Sequence, residues 1–145
     1  MPTALIYDQR FVQHDTGPGH PERPDRLRAI VQRLRVTGLW DRLEHLSFEP
    51  ADPRHIEVVH ARSYVQRVRA ACQGGDPYID TADSMICPKT YEVALLAVGG
   101  VLAAVDQVSA GHVRNAFCAV RPPGHHAEHD RSMGFCIFNN VAIAA

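Results

Sequence analysis

At 145 residues and 46% hydrophobic content, the chain has material for one compact core and too little for two. Lys and Arg number 15 against 16 Asp and Glu, a formal net charge of -1, which excludes a bulk basic field directed at nucleic acid or an anionic membrane. Cys72, Cys87, Cys118 and Cys136 include no C-x-x-C pair and fit reduced, core-filling thiols better than a disulfide framework. The start, MPTALIYD, carries no basic region followed by an apolar run and a cleavage site, and the longest apolar run, Val93 to Val105, is well short of the roughly 18 residues of a membrane span. A soluble, cytoplasmic protein with no direct nucleic-acid or membrane partner is the expectation.

In chain order, Thr3 to Tyr7 (TALIY) is a short apolar, partly β-branched run and predicts a buried strand ending at Asp8. Gln13 to Pro24 (QHDTGPGHPERP) is dense in Gly, Pro and polar residues and predicts a loop at the end of that strand. Leu27, Ile30, Val31 and Leu34 follow helical spacing between Pro24 and Gly38. Asp52-Pro53 predicts a capped short helix through Val59, and a cap at Ser63 predicts another that ends at Gly74-Gly75. Asp76 to Pro88 is an irregular loop. Thr90 to Val108 is apolar almost all round and rich in small residues, which predicts a helix packed closely against its neighbours. Asn115 to Val120 (NAFCAV) predicts a second apolar strand, running into a loop rich in Pro, Gly and His.

Two such strands, separated by helices and each followed by a polar loop, predict a parallel α/β architecture. In that arrangement the loops at the carboxyl ends of the strands share one face and form the crevice. The chain closes on Asn139-Asn140 and VAIAA, a cap and a first apolar helical turn with no stop signal. This reads as the N-terminal part of something longer.

The densest chemistry lies in RPPGHHAEHDRSMGFCIFNN, Arg121 to Asn140. Adjacent residues of a strand point to opposite faces, so His125 and His126 converge only if the backbone turns between them, and Pro122, Pro123 and Gly124 supply that irregularity. Imidazoles titrate near neutral pH, which suits a paired site to proton transfer. Metal ligation by His125 or His126 with His129 is the competing reading, although no H-E-x-x-H is present. His129 alone reads as a solvated loop residue beside Glu128, Asp130 and Arg131. Gly134 offers a bare backbone and Phe135 an apolar wall, with a tight turn and a core phenylalanine as the plainer alternative. Gly19 to Pro24 reads equally as an ordinary helix entrance, and Asp80 and Asp83 as turn caps.

Taken together, GHPERPDRL at Gly19 to Leu27, the Asp-bearing loop followed by YEVALLAVGG at Tyr91 to Gly100, and RPPGHHA leading into GFCIFNNVAIAA resemble the zinc-dependent histone deacetylase superfamily, which includes acetylpolyamine amidohydrolases. The HPERP form is similar to the class II and bacterial branch. The resemblance implies an arginase/deacetylase-like three-layer αβα fold with a central parallel sheet, of which residues 1 to 145 would be the N-terminal part. It implies hydrolysis of the C-N amide of acetyl-lysine or acetylpolyamine, with His125 and His126 in proton transfer, the second as base for the attacking water. Gly134 and Phe135 would line the acyl channel and Asp83 would hold substrate. Arg26 and His20 would be structural or channel residues.

The family's zinc ligands, an Asp-x-His and a later aspartate, have no counterpart here. Neither do the aspartates that orient the two histidines or the tyrosine that polarises the carbonyl. The 145 residues by themselves are therefore expected to hold no zinc and to be inactive, with deacetylase activity belonging to the parent protein. Two other readings stand beside this one: a non-catalytic module retaining half the fold, and a metal-binding protein using the histidine cluster. Oligomeric state stays open, with an exposed sheet edge favouring association.

Overall fold

Three short strands frame the computed structural model, which describes residues 1 to 145. β1 (Thr3–Ile6) lies between β2 (Glu44–His45) and β3 (Asn115–Cys118) and runs parallel to both. Its register on β3 pairs Thr3 with Asn115 and Ile6 with Cys118, so both strands deliver their chains to the same edge. Ala4, Leu5 and Ile6 are buried in succession, as a central parallel strand covered on both faces requires. This is the parallel α/β frame expected from the sequence.

β3 is the second expected strand, shorter than read. It ends at Cys118, its residues are exposed or half-buried, and Phe117 is 43% exposed, because β1 is its only neighbour. β2 was not foreseen, since two polar residues carry no apolar signal.

α1 (Pro24–Val36) opens with Pro24 in its first turn and buries Leu27 and Val31, while Ile30 faces outward. α2 (Pro53–Ile56) is capped by Asp52, whose carboxylate accepts from the Arg54 N–H; it stops before Val59. α3 (Arg62–Gly74) corrects the Ser63 cap. Ala61 is the cap residue, with no side-chain bond, and Ser63 lies inside the first turn. Gly75 closes that helix in the left-handed conformation, as read.

α4 (Thr90–Ser109) runs through the middle of the fold against α3, β1, β3 and α5 (Asn140–Ala144). By length and composition this helix could cross a membrane, a point the unbroken apolar run alone did not reveal; here it is the central packing helix. Its small residues have the role read from the sequence. A Cβ on Gly99 would strike the Glu49 carbonyl oxygen, and one on Gly100 would come within 2.5 Å of Ile6 Cγ2. One apolar cluster joins α4 to α2, α3, Ile137 and Phe138, and another joins it to Leu5, Phe11 and Leu27. Each fully buried Leu, Ile or Phe in them contributes about 1.5–3 kcal/mol. Asn139 caps α5, accepting from the Ala142 N–H at 3.1 Å.

Candidate active site

Beyond β3 the chain enters Arg121-Pro122, a cis peptide. Gly124 passes so close to the next segment that a Cβ would collide with the Phe138 carbonyl oxygen. The Ile137 N–H donates to the Pro123 carbonyl at 3.1 Å, and the Ala127 N–H closes a turn on Gly124 at 3.0 Å. This turn falls on His125-His126. Strand alternation is broken, and the two exposed imidazoles lie with ring centroids 4.3 Å apart and planes 53° from parallel.

His126 has a backing. Its N–H points at Cys136 Sγ, 3.4 Å away. Gly134 presses on its ring: a Cβ there would sit 3.0 Å from His126 Cδ2 and 3.2 Å from Cβ and Cγ. Gly134 at φ 56° and Phe135 at φ 70° make a left-handed turn closed by pairing of Met133 with Cys136. Phe135 is the costly member, since a non-glycine residue held there stores about 1–3 kcal/mol. Its ring stands edge-on to His20, centroids 4.9 Å apart.

The two acidic loop residues separate. Asp80, itself at φ 59°, accepts from Arg67 Nη2 and from the Ser132 N–H, both at 2.7 Å, and so fastens the Asp76 to Pro88 loop to the histidine loop. Asp83 is exposed, and its carbonyl faces His20 Nε2 at 3.0 Å. His20, Asp83, Gly134 and Phe135 are thereby brought around one another at the strand-end face. Arg26, its side chain 62% exposed and 3.9 Å from Glu22 Oε1, lines a cavity together with His125. That cavity, of about 270 Å³, opens beside His125, between Leu27 and Ile30 of α1 and the end of β3.

Sequence reasoning missed what holds this face together. Glu22 and Arg121 are both buried and form a two-pronged ion pair, Nε to Oε1 at 2.6 Å and Nη2 to Oε2 at 2.7 Å. Arg121 Nη1 also donates to the carbonyls of Phe11 at 3.1 Å and His14 at 2.9 Å. The signal was available as opposite charges bracketed by prolines, P-E-R-P and R-P-P, in two loops already placed on one face. Behind the pair lies buried His14, its Nδ1 2.8 Å from Thr90 Oγ1 and its Nε2 3.6 Å from Glu22 Oε2, too far for a hydrogen bond. A lone pair on Nε2 would face a carboxylate, so we assign the proton to Nε2 and the Thr90 hydroxyl proton to the bond with Nδ1. Burial pushes the His14 pKa down to about 3, and the Arg121 guanidinium adds to the effect. The ring is neutral.

His129 is the exposed loop residue read from the sequence. Although exposed, it is not free: its Nδ1 lies 2.6 Å from the Val59 carbonyl, and its own carbonyl accepts the Ala61 N–H at 2.8 Å. His60, buried and unremarked in the sequence, takes the Asn139 N–H on Nε2 at 2.9 Å and faces the His129 carbonyl with Nδ1 at 3.3 Å. Burial lowers its pKa. With His129 turned toward Val59, the histidine cluster does not converge, and nowhere do three His, Cys, Asp or Glu side chains gather to hold a metal ion. The metal-binding reading of this cluster lacks a ligand set.

A sequence model of the histone deacetylase domain matches residues 20 to 145. The chain belongs to the histone deacetylase domain family. Histone deacetylase 5 of Arabidopsis thaliana is 39% identical over 98% of this chain and 23% of its own length. The histone deacetylase-like amidohydrolase of Pseudomonas aeruginosa is 36% identical over 98% and 42%, and polyamine deacetylase HDAC10 of Homo sapiens 38% over 100% and 23%. The crystal structure of the HDA15 HD domain superposes with a TM-score of 0.93 at 34% identity, covering 99% of this chain and 42% of that one. The chain thus has the deacetylase-like α/β fold and spans less than half the length of these deacetylase relatives.

Proposed function

We propose that this chain is the N-terminal, histidine-bearing wall of the catalytic crevice of a deacetylase-type amidohydrolase. The observation that carries the reading is the tandem pair itself: two exposed imidazoles with ring centroids 4.3 Å apart in the loop that follows a parallel strand, with Gly134 against His126. His126, pinned at its backbone and along its ring, is the positioned base; it takes a proton from water as the water oxygen bonds to the acyl carbonyl carbon. The proton is returned to the leaving nitrogen as the C–N bond breaks, and His125, within reach of the same space, shares that transfer. Groups in these roles contribute typically 10²–10⁴-fold to rate.

Zinc dependence is part of the family resemblance, but the residues present do not fit a zinc site, because they gather no ligand set. No step is therefore assigned to a metal on this chain, and the 145 residues in isolation are proposed to be inactive. The substrate class is an acetylated amine on a linear carbon chain, either acetyl-lysine in a peptide or an acetylpolyamine. The names of the amidohydrolase and polyamine deacetylase relatives support both. The test is hydrolysis of an acetyl-lysine peptide and of an acetylpolyamine by the full-length protein, with and without chelator, beside His125→Asn and His126→Asn. Loss of at least 100-fold in both variants with the fold intact supports the roles, and an unchanged rate in either overturns its assignment. Hydrolysis that survives the chelator removes the zinc dependence, and an active 145-residue fragment removes the proposal that it is inactive.

A further inference from the structure

His20 touches all three segments that rim the candidate crevice. Nε2 lies 3.0 Å from the Asp83 carbonyl oxygen. A carbonyl only accepts, so this nitrogen carries the proton and donates across 63 residues of chain. Nδ1 is then the acceptor for the Glu22 N–H at 3.1 Å, closing a local turn on its own loop. A second ring proton would instead find the Glu22 carbonyl oxygen, 2.8 Å away. The face of the ring meets the third segment through Phe135, whose backbone is already held at φ 70°. Glu22, through which Nδ1 is anchored, is itself locked by Arg121 from the histidine loop.

Asp83 has no comparable support of its own. Its carboxylate is exposed, and the short turn around it is closed by Ser84 N–H to Thr81 and Ile79 N–H to Ser84, at 2.9 and 3.1 Å. We infer that His20 is a positioning residue for substrate binding: by fixing the Asp83 carbonyl it fixes where the adjacent carboxylate stands at the mouth, and by packing on Phe135 it sets the distance from that carboxylate to the channel wall. The inference rests on the deacetylase reading for its consequence, and on the hydrogen bonds alone for its geometry.

The two ring nitrogens can be separated by substitution, because a glutamine amide nitrogen reaches where Nε2 stands and an asparagine amide only where Nδ1 stands. In the full-length protein, His20→Ala and His20→Asn raise KM for an acetyl-lysine peptide about tenfold with kcat within about threefold, the pattern of lost binding. His20→Gln restores KM to within about threefold of wild type. Amide exchange at Ile79 and Ser84 accelerates about tenfold in the Ala and Asn variants and is restored in Gln, while α4 amides are unchanged. A general loss of protection, or a Gln variant indistinguishable from Ala, overturns the positioning role. If wild type hydrolyses no acyl amide the deacetylase reading fails, and local exchange at Ile79 and Ser84 still decides whether His20 holds the loop.

Discussion

Glu22 lies where a single heavy-atom change has the largest predictable effect. Its carboxylate is buried and meets Arg121 through two bonds of 2.6 and 2.7 Å. In Glu22→Gln the amide nitrogen confronts one guanidinium N–H and no counter-charge remains. Removing one partner of a buried pair costs about 3–5 kcal/mol. Arg121 keeps two backbone carbonyls as acceptors, which puts the expectation near the lower figure, about 3 kcal/mol. That is a large share of the roughly 5–15 kcal/mol that holds a domain together. Urea unfolding of the full-length protein at pH 7 measures it, and thermal unfolding should show a drop of about 10 °C. Because both charges leave together, Glu22→Met combined with Arg121→Met should be less destabilised than Arg121→Met alone, which strands the carboxylate. A cost below about 1 kcal/mol for Glu22→Gln, or strictly additive losses in the cycle, would refute the claim that this pair fastens the two loops.

Acid should expose His14. Its folded pKa of about 3 lies below the unfolded value near 6.5, so the unfolded chain takes up the proton first; stability is full above about pH 6.5 and falls as pH drops toward 3. The expected loss by pH 5 is about 2 kcal/mol, and His14→Gln should flatten that part of the urea-midpoint profile; an unchanged slope would reject burial as its cause. Gly134→Ala places a methyl carbon against His126 at 3.0–3.2 Å and strains a left-handed residue, so kcat/KM should fall about 10–100-fold, with a stability loss of about 1–2 kcal/mol in urea unfolding. Full activity would mean that Gly134 does not position the imidazole. Asp80→Ala loses the Arg67 and Ser132 bonds and puts alanine at φ 59°, with about 2–3 kcal/mol expected; Asp80→Asn, at ease in that conformation, should recover at least 1 kcal/mol in the same unfolding assay. Equal losses in the two variants would show that backbone conformation contributes nothing at this position.

Much of the frame was legible because it rests on local rules. The TALIY run, the Pro24 and Asp52-Pro53 helix openings, the Gly75 stop, the all-round apolar α4 and the Asn139 cap each depend on a few neighbouring residues, and each stands in the fold. Ser63 was misread because α3 begins at Arg62, two residues before the start that a Ser63 cap implies; the Ala61 N–H before it is taken by the distant His129 carbonyl, a contact with no local trace. β2 has no apolar pattern, and β3 is half-exposed because strand burial depends on neighbours rather than on the strand.

The same division runs through the site. Residue order alone determined that His125 and His126 converge only through a turn and that the polar loops share the strand-end face, while for Gly134 it left a bare backbone and an ordinary tight turn both open. Tertiary structure decided the rest: that Asp80 ties loops while Asp83 stays open, that His129 faces Val59 and not the pair, and that Glu22 and Arg121 form the clamp beneath. Turns, caps and glycine constraints are written within a few residues of chain. A charge pair spanning 99 residues takes its meaning only when folding removes water from both partners, and no window of sequence contains that event.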